Sequence, residues 1–447
     1  MKTHPEKSSI GTIYSTIRPL YYLSKICGIF PLKFINTNGN EEKFCFSVTN
    51  VFYSIFLMML IVITEVIVIL NHDKLPDVGD RTRGMFILEA VICIIITFLL
   101  MGTSLIKHKK ITNELLFKFS IFDELMNNNN ATMMKRNEKF VFVQTIMLIL
   151  VYMCIFIADY ALAAFSEYTT YIWKMHIICE YFCTFINVII ITQFVDFVQL
   201  LKQKITILNN IIVTNRAENN MEESNQDILF KSTKISKPKR IELCAGYINK
   251  RNFEKRFKDW CDNYLKNSFS SRFNSCNSRR IRFQALRICQ DILYDICYML
   301  NSLYGIQFLI FTLSNFFLIT SNMSYGIISI LLYMEENKPH FFPAYSPILW
   351  ATMIFIMQIC PMVSCSITSN ESKKTILIIQ KILLLPEDDP EVLAELQLFL
   401  QQLNNRNIKF TAMDFFTINY KNLGTIVGAS VTLLLMFLQF QRVRNLF

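Results

Sequence analysis

The sequence predicts an all-α protein that crosses a membrane seven times. Three observations predict it. Hydrophobic residues make up 52% of the 447 residues, with 39 Phe against 11 Gly, and a soluble domain must keep its surface too polar for that balance. Seven apolar windows fall at about 47–70, 84–106, 140–164, 173–199, 303–333, 345–367 and 422–440. Each is long enough to cross a hydrocarbon layer of ~30 Å as a helix. Lys and Arg are also divided very unequally between the segments that alternate around these windows.

That division sets the orientation. With the N-terminus inside, the segments 1–46, 107–139, 200–302 and 368–421 carry 38 of the 45 basic residues. The short loops decide, because long ones cross regardless of charge, and there the first two loops hold 7 on the inner side against 3 on the outer. Seven spans then put the C-terminus outside. The net charge of +10 is thus a topology signal, and no nucleic acid partner is expected.

Residues 1–46 read as a cytoplasmic N-terminal segment. It is mixed and polar, and its short apolar patches, Tyr21–Leu23 and Ile29–Leu32, are no signal peptide. Residues 47–367 read as a six-helix transmembrane ligand-binding region. Within it, Glu65, Glu89, Asp159, Glu180 and Asp196 would each cost ~2.5–3.5 kcal/mol at mid-helix. By depth, Glu89, Asp159 and Glu180 lie in outer halves of spans and Asp196 near an inner end. The outer acids, with Tyr160, His176, Asn315 and Trp350, are candidates for a pocket open to the outside. Aromatic faces there stack on sugar or alkaloid rings, and carboxylates bond hydroxyls or amines. The competing reading is an interfacial aromatic belt with snorkelling acids, which Trp173 at the membrane edge fits best.

The long cytoplasmic loop, 200–302, divides in two. Asn209–Gln226 lacks an apolar period and reads as flexible. Phe253, Phe257, Trp260 and Tyr264 recur on one helical face. The thirteen cysteines fall mostly in spans or inner segments, with none in the short outer loops. No disulfide between those loops is expected, and no metal site.

Residues 368–421 read as cytoplasmic anchor helices. Lys373–Leu385 forms one. Asp389-Pro390-Glu391 then supplies a cap, a first-turn proline and an early acid. Val392, Leu396, Phe399 and Leu403 follow as an apolar stripe, a candidate subunit contact. The last span, 422–440, ends Thr432-Leu-Leu-Leu-Met-Phe-Leu-Gln439-Phe440, before an extracellular tail at 441–447. An amide in lipid lacks a partner, so Gln439 must face protein or water.

The runs Glu395-Leu-Gln-Leu-Phe-Leu-Gln-Gln-Leu, Ile408-Lys-Phe-Thr-Ala-Met-Asp-Phe-Phe-Thr-Ile-Asn419 and Gly424 to Phe440 resemble the C-terminal third of insect gustatory receptors, the fructose-receptor-like branch above all. The match is close over about 70 residues, with Leu433 where the family usually has Tyr. The resemblance implies a ligand-gated, non-selective cation channel for taste compounds, sugars or bitter plant chemicals, in the plasma membrane of sensory neurons. It implies a homotetramer, or a hetero-tetramer with sister subunits, whose last helices line one pore. Met436 and Phe440 would face the axis with Gln439 beside them. The positions share one helical face, and an apolar ring gates by dewetting.

No GxSxG, HExxH, Walker loop or metal spacing appears, so neither an enzyme nor a cofactor is expected. A seven-helix G-protein-coupled receptor without a pore would need the opposite charge asymmetry. A secondary transporter would need repeats and helices broken by Gly or Pro, and only Pro343, Pro347 and Pro361 lie near a span.

Overall fold

A computed structural model describes residues 20–30, 32–37, 41–71, 80–126, 131–165, 171–226, 279–336, 342–385 and 389–444. Helix dominates. Six long helices come first: α1 (Val48–Leu70), α2 (Asp80–Leu125), α3 (Ala131–Phe165), α4 (Tyr171–Gln226), α5 (Arg279–Glu336) and α6 (Phe342–Leu383). A short helix, α7 (Pro390–Asn405), and the last helix, α8 (Tyr420–Arg444), follow. Two small antiparallel hairpins interrupt this pattern, β1 (Leu32–Thr37) with β2 (Glu41–Phe46) and β3 (Thr411–Ala412) with β4 (Phe416–Thr417). Among the described residues, α1 and stretches of α4, α5 and α6 are long and apolar enough to span a membrane. Shorter apolar runs at 87–103 and 142–158 lie in α2 and α3.

The helices outrun the windows that announce them. Asn209–Gln226, expected to be flexible, belongs to α4. Ile205, Leu208 and Ile212 are fully buried there, so an apolar stripe of period 3–4 carries the helix past the membrane-length window. Likewise α2 runs on through Leu115, Phe119 and Phe122, all buried. The helix expected at Lys373–Leu385 is the C-terminal end of α6, which stops at Leu383 and accommodates Pro347 and Pro361. The aromatic stripe at 253–264 lies outside the described residues.

The chain forms two compact units. The larger comprises residues 1–203, 292–372 and 408–447. In it the N-terminal segment is docked by its two apolar patches. Residues 20–26 form a turn of helix, and Leu20, Tyr21, Ile29 and Phe30 are buried. Gly28 makes the turn between them. Its φ of +69° favours glycine, and a Cβ there would sit 3.1 Å from Leu57 and Met101 and 3.2 Å from the Ser54 backbone. On α1 the opposite holds, since Phe52, Phe56, Ile63 and Leu70 are exposed, as a lipid-facing surface requires.

The hairpin β3–β4 leads into α8 and is clamped to α5. Asn301 donates to the Lys409 carbonyl at 2.8 Å and accepts from the Thr411 amide at 3.2 Å. At Gly305 the two backbones meet, because a Cβ would fall 3.1 Å from Met413 N and 3.3 Å from Thr411 O. Met413 and Asp414 take φ of 52° and 60° at the turn, where the mirror-type hairpin demands positive φ. Thr411 stabilises the turn by donating to Asp414 at 2.9 Å. The Tyr420 amide then donates to Ser366 Oγ at 2.9 Å, tying the start of α8 to α6.

The smaller unit comprises residues 204–291 and 373–407. Asp389 caps α7 by accepting from the Glu391 amide at 2.9 Å, with Pro390 in the first turn. Val392, Leu396, Phe399 and Leu403 are at most 2% exposed. The stripe read as a candidate subunit contact is thus covered within one chain. Arg287 fixes the helix by its 2.6 Å ion pair with the nearly buried Glu395, and Arg406 pairs with Asp291. The exposed side of α7 carries Leu398 instead.

Candidate functional site

Within the larger unit, polar side chains from four helices meet where α1 and α5 approach their C-terminal ends and α2 and α4 begin. Glu65 of α1 and His176 of α4 are 0% and 1% exposed and lie 2.9 Å apart, Oε2 to Nδ1. Ser321 of α5 donates to Glu89 of α2 at 2.8 Å. Glu89, His176 and Glu180 each offer an atom within 4.8 Å of the other two. The spacing of Cys and His in the sequence suggested no metal site, whereas this trio is close enough to share an ion. The lower wall is formed by the touching thiols of Cys93 and Cys183 and by Thr97, 3.0 Å from Cys183.

One residue beyond Glu180 the chain changes character. Tyr181 accepts from Trp350 Nε1 at 2.6 Å through its hydroxyl, and its carbonyl accepts from the Tyr152 hydroxyl at 2.6 Å. The Trp350 ring meets Tyr181 edge-on at 4.5 Å and Tyr152 at 5.9 Å. Phe156 links Tyr181 to Tyr160, at 4.8 and 6.0 Å. Phe185 stacks on Tyr152 at 5.3 Å. The two edge-to-face contacts of Trp350 bring its indole nitrogen onto the Tyr181 hydroxyl. Trp350 is half-buried, with its ring against Tyr152 and Tyr181.

Of the candidates read from the sequence, the structure joins Glu89, His176 and Glu180 in one cluster, and Tyr160 and Trp350 in the aromatic wall beside it. Asn315 goes elsewhere. It is buried and donates to Gln358 at 3.0 Å, which donates in turn to Thr312. The side chain of Asp159 lies outside the described residues. Glu65, Tyr152, Tyr181 and Ser321 are the members sequence reasoning missed. Depth alone would have found Glu65, which sits five residues from the end of the first window.

The last helix is unlike the others. No described side chain of α8 is buried. Leu423, Ile426, Val427, Ser430, Leu433 and Leu434 are half-buried and form its inward stripe. Gly424, Gly428, Leu435, Met436 and Gln439 are exposed, and a Cβ on either glycine would meet nothing within 4 Å. Phe440 has its side chain outside the described residues. Leu433, at the position where Tyr was expected, thus turns toward its own chain.

No curated protein matches the chain. Solved structures that share its fold include the insect olfactory receptor OR5 from Machilis hrabei and the same receptor in complex with eugenol. The first has a TM-score of 0.60 and the second 0.52. In each case identity is 11%, and the alignment covers 96% of this chain and 99% of the other. The family model described as 7tm Chemosensory receptor matches residues 17–443. Seven spans are accounted for by α1–α6 and α8. The chain belongs to the seven-transmembrane chemosensory receptor family.

Proposed function

We propose that the chain is a gustatory subunit of a ligand-gated, non-selective cation channel for taste compounds. It works as a homotetramer or with sister subunits, in the plasma membrane of sensory neurons, with its N-terminus and residues 368–421 on the cytoplasmic side. The observation that carries the reading is α8. A terminal apolar helix with no buried described residue and a face bearing Gly424, Gly428 and Gln439 is incomplete in one chain. Four copies around an axis would give that face a water-filled pore, with Met436, Gln439 and Phe440 toward its outer end, where an apolar ring gates by dewetting.

For the ligand, support comes from the cluster of Glu65, Glu89, His176 and Glu180 beside the wall of Tyr152, Tyr160, Tyr181 and Trp350. Carboxylates and imidazole bond hydroxyls or an amine, and ring faces stack on an apolar ligand face. That the similar olfactory receptor was seen with eugenol supports a small-molecule ligand. Asp159 and Asn315 stay candidates of lower rank, since the first is not described and the second is bonded to Gln358. The test is expression in a heterologous cell with a panel of sugars, alkaloids and phenolics, read as whole-cell current. A compound that evokes cation current in the parent and none in Glu89→Gln supports the reading. A response carried only by a second messenger, with no current, contradicts it.

A further inference from the structure

Asp196 is the acid in the spans that the proposed function leaves unused. It lies on α4, is 1% exposed, and among the described residues neither carboxylate oxygen has a hydrogen-bond or ion-pair partner. It lines a cavity of about 20 Å³ together with Thr112 of α2, Gln193 of α4 and Tyr304 of α5. The Thr112 hydroxyl, 3% exposed, also lacks a partner. The Gln193 nitrogen donates to Ser24, so its carbonyl oxygen is the atom left to act as a ligand.

Such a carboxylate is costly in either protonation state. Ionised, it is an uncompensated charge in a dry interior. Protonated, its hydroxyl still has no acceptor. A water molecule would fit the cavity and make hydrogen bonds, but it would leave the charge uncompensated. A small cation supplies both the contact and the charge. The donor set narrows the choice. One carboxylate with hydroxyl, phenol and amide oxygens is hard and carries a single negative charge. Divalent calcium gathers more oxygens and more charge, and zinc prefers nitrogen and sulfur. We propose that Asp196, Thr112, Gln193 and Tyr304 bind one sodium ion, which ties α2, α4 and α5 together at a site separate from the cluster of Glu65, Glu89, His176 and Glu180.

The experiment is thermal unfolding of the full chain, purified in detergent, with sodium chloride titrated against choline chloride at constant ionic strength. The expected result is a saturable rise in Tm with sodium, since a ligand that binds only the folded state stabilises it by mass action. Asp196→Asn, which keeps the shape and removes the charge, should unfold at one temperature in both salts. Should that variant fail to fold, Thr112→Val decides: it keeps the charge and should need about tenfold more sodium for half the effect. Equal Tm in sodium and choline would overturn the proposal. So would an Asp196→Asn chain that still gains stability from sodium, or a Thr112→Val chain with the parent's titration curve.

Discussion

Removing the Glu65 carboxylate takes from His176 its partner at 2.9 Å, and both side chains are at most 1% exposed. Glu65→Ala should cost about 3 kcal/mol, the usual loss when one half of a buried pair is deleted. Tm of the purified receptor measures it. Glu65→Leu combined with His176→Phe should regain most of that stability while abolishing the ligand-evoked current. An alanine variant as stable as its parent would mean that the two groups do not depend on each other. The acid itself was legible in the sequence as a costly residue in a span. Its partner was not, because 111 residues separate the two and no local pattern pairs them. Gly305 is a second residue whose role is invisible in one dimension. A glycine inside a helix reads as a weak point, yet here it admits the backbone of Met413 and Thr411. Gly305→Ala should destabilise by about 1–3 kcal/mol through overpacking. Because the displaced hairpin leads into α8, it should also shift the concentration of ligand for half-maximal current. A variant with the parent's Tm and the parent's response would contradict the clamp.

Helix α7 shows what an element reveals of itself and what it conceals. Its start, cap and stripe are all local signals, and Asp389, Pro390 and the run from Val392 to Leu403 appear where the sequence puts them. An amphipathic stripe says that a face is buried, however, not what buries it, and here the answer is the same chain. Leu396→Asp should therefore cost about 4 kcal/mol in the single chain, seen as lost monomer as well as lost oligomer. Leu398→Asp, on the half-exposed face, should leave the monomer intact and lower the tetramer yield in detergent. An oligomer profile unchanged by Leu398→Asp would take α7 out of the subunit contact. The extension of α4 was misread for a related reason. Asn and Glu between 209 and 226 suggest a solvated linker, whereas the covalent continuation of a long helix, with Leu208 and Ile212 buried, holds those residues helical. Asn209 itself is tied down, accepting from Thr375 at 2.7 Å.

For the whole molecule, the architecture was legible because membrane spans are the one tertiary feature that composition states outright. Each of the seven windows falls in a helix of its own, and membership of the seven-transmembrane chemosensory family agrees with them. The candidate site was half legible: depth selects Glu89, His176 and Glu180, while the aromatic partners come from packing between α3, α4 and α6. The central claim concerns the exposed face of α8, which needs neighbouring copies to become a pore. Arg442 and Arg444 lie in the last turn of α8, just beyond Phe440, and a Debye length of about 8 Å lets them act only at close range. If they splay outward, neutralising both leaves ion selectivity nearly as it was. Phe440→Ala should raise the resting current, since a smaller and wetter ring is harder to dewet. The most direct measurement is the reversal potential and single-channel conductance of the ligand-evoked current, compared between the parent and Gln439→Ala. The account predicts a changed conductance or selectivity at an unchanged ligand sensitivity. Identical permeation in the two channels would contradict the assignment of α8 as the pore helix.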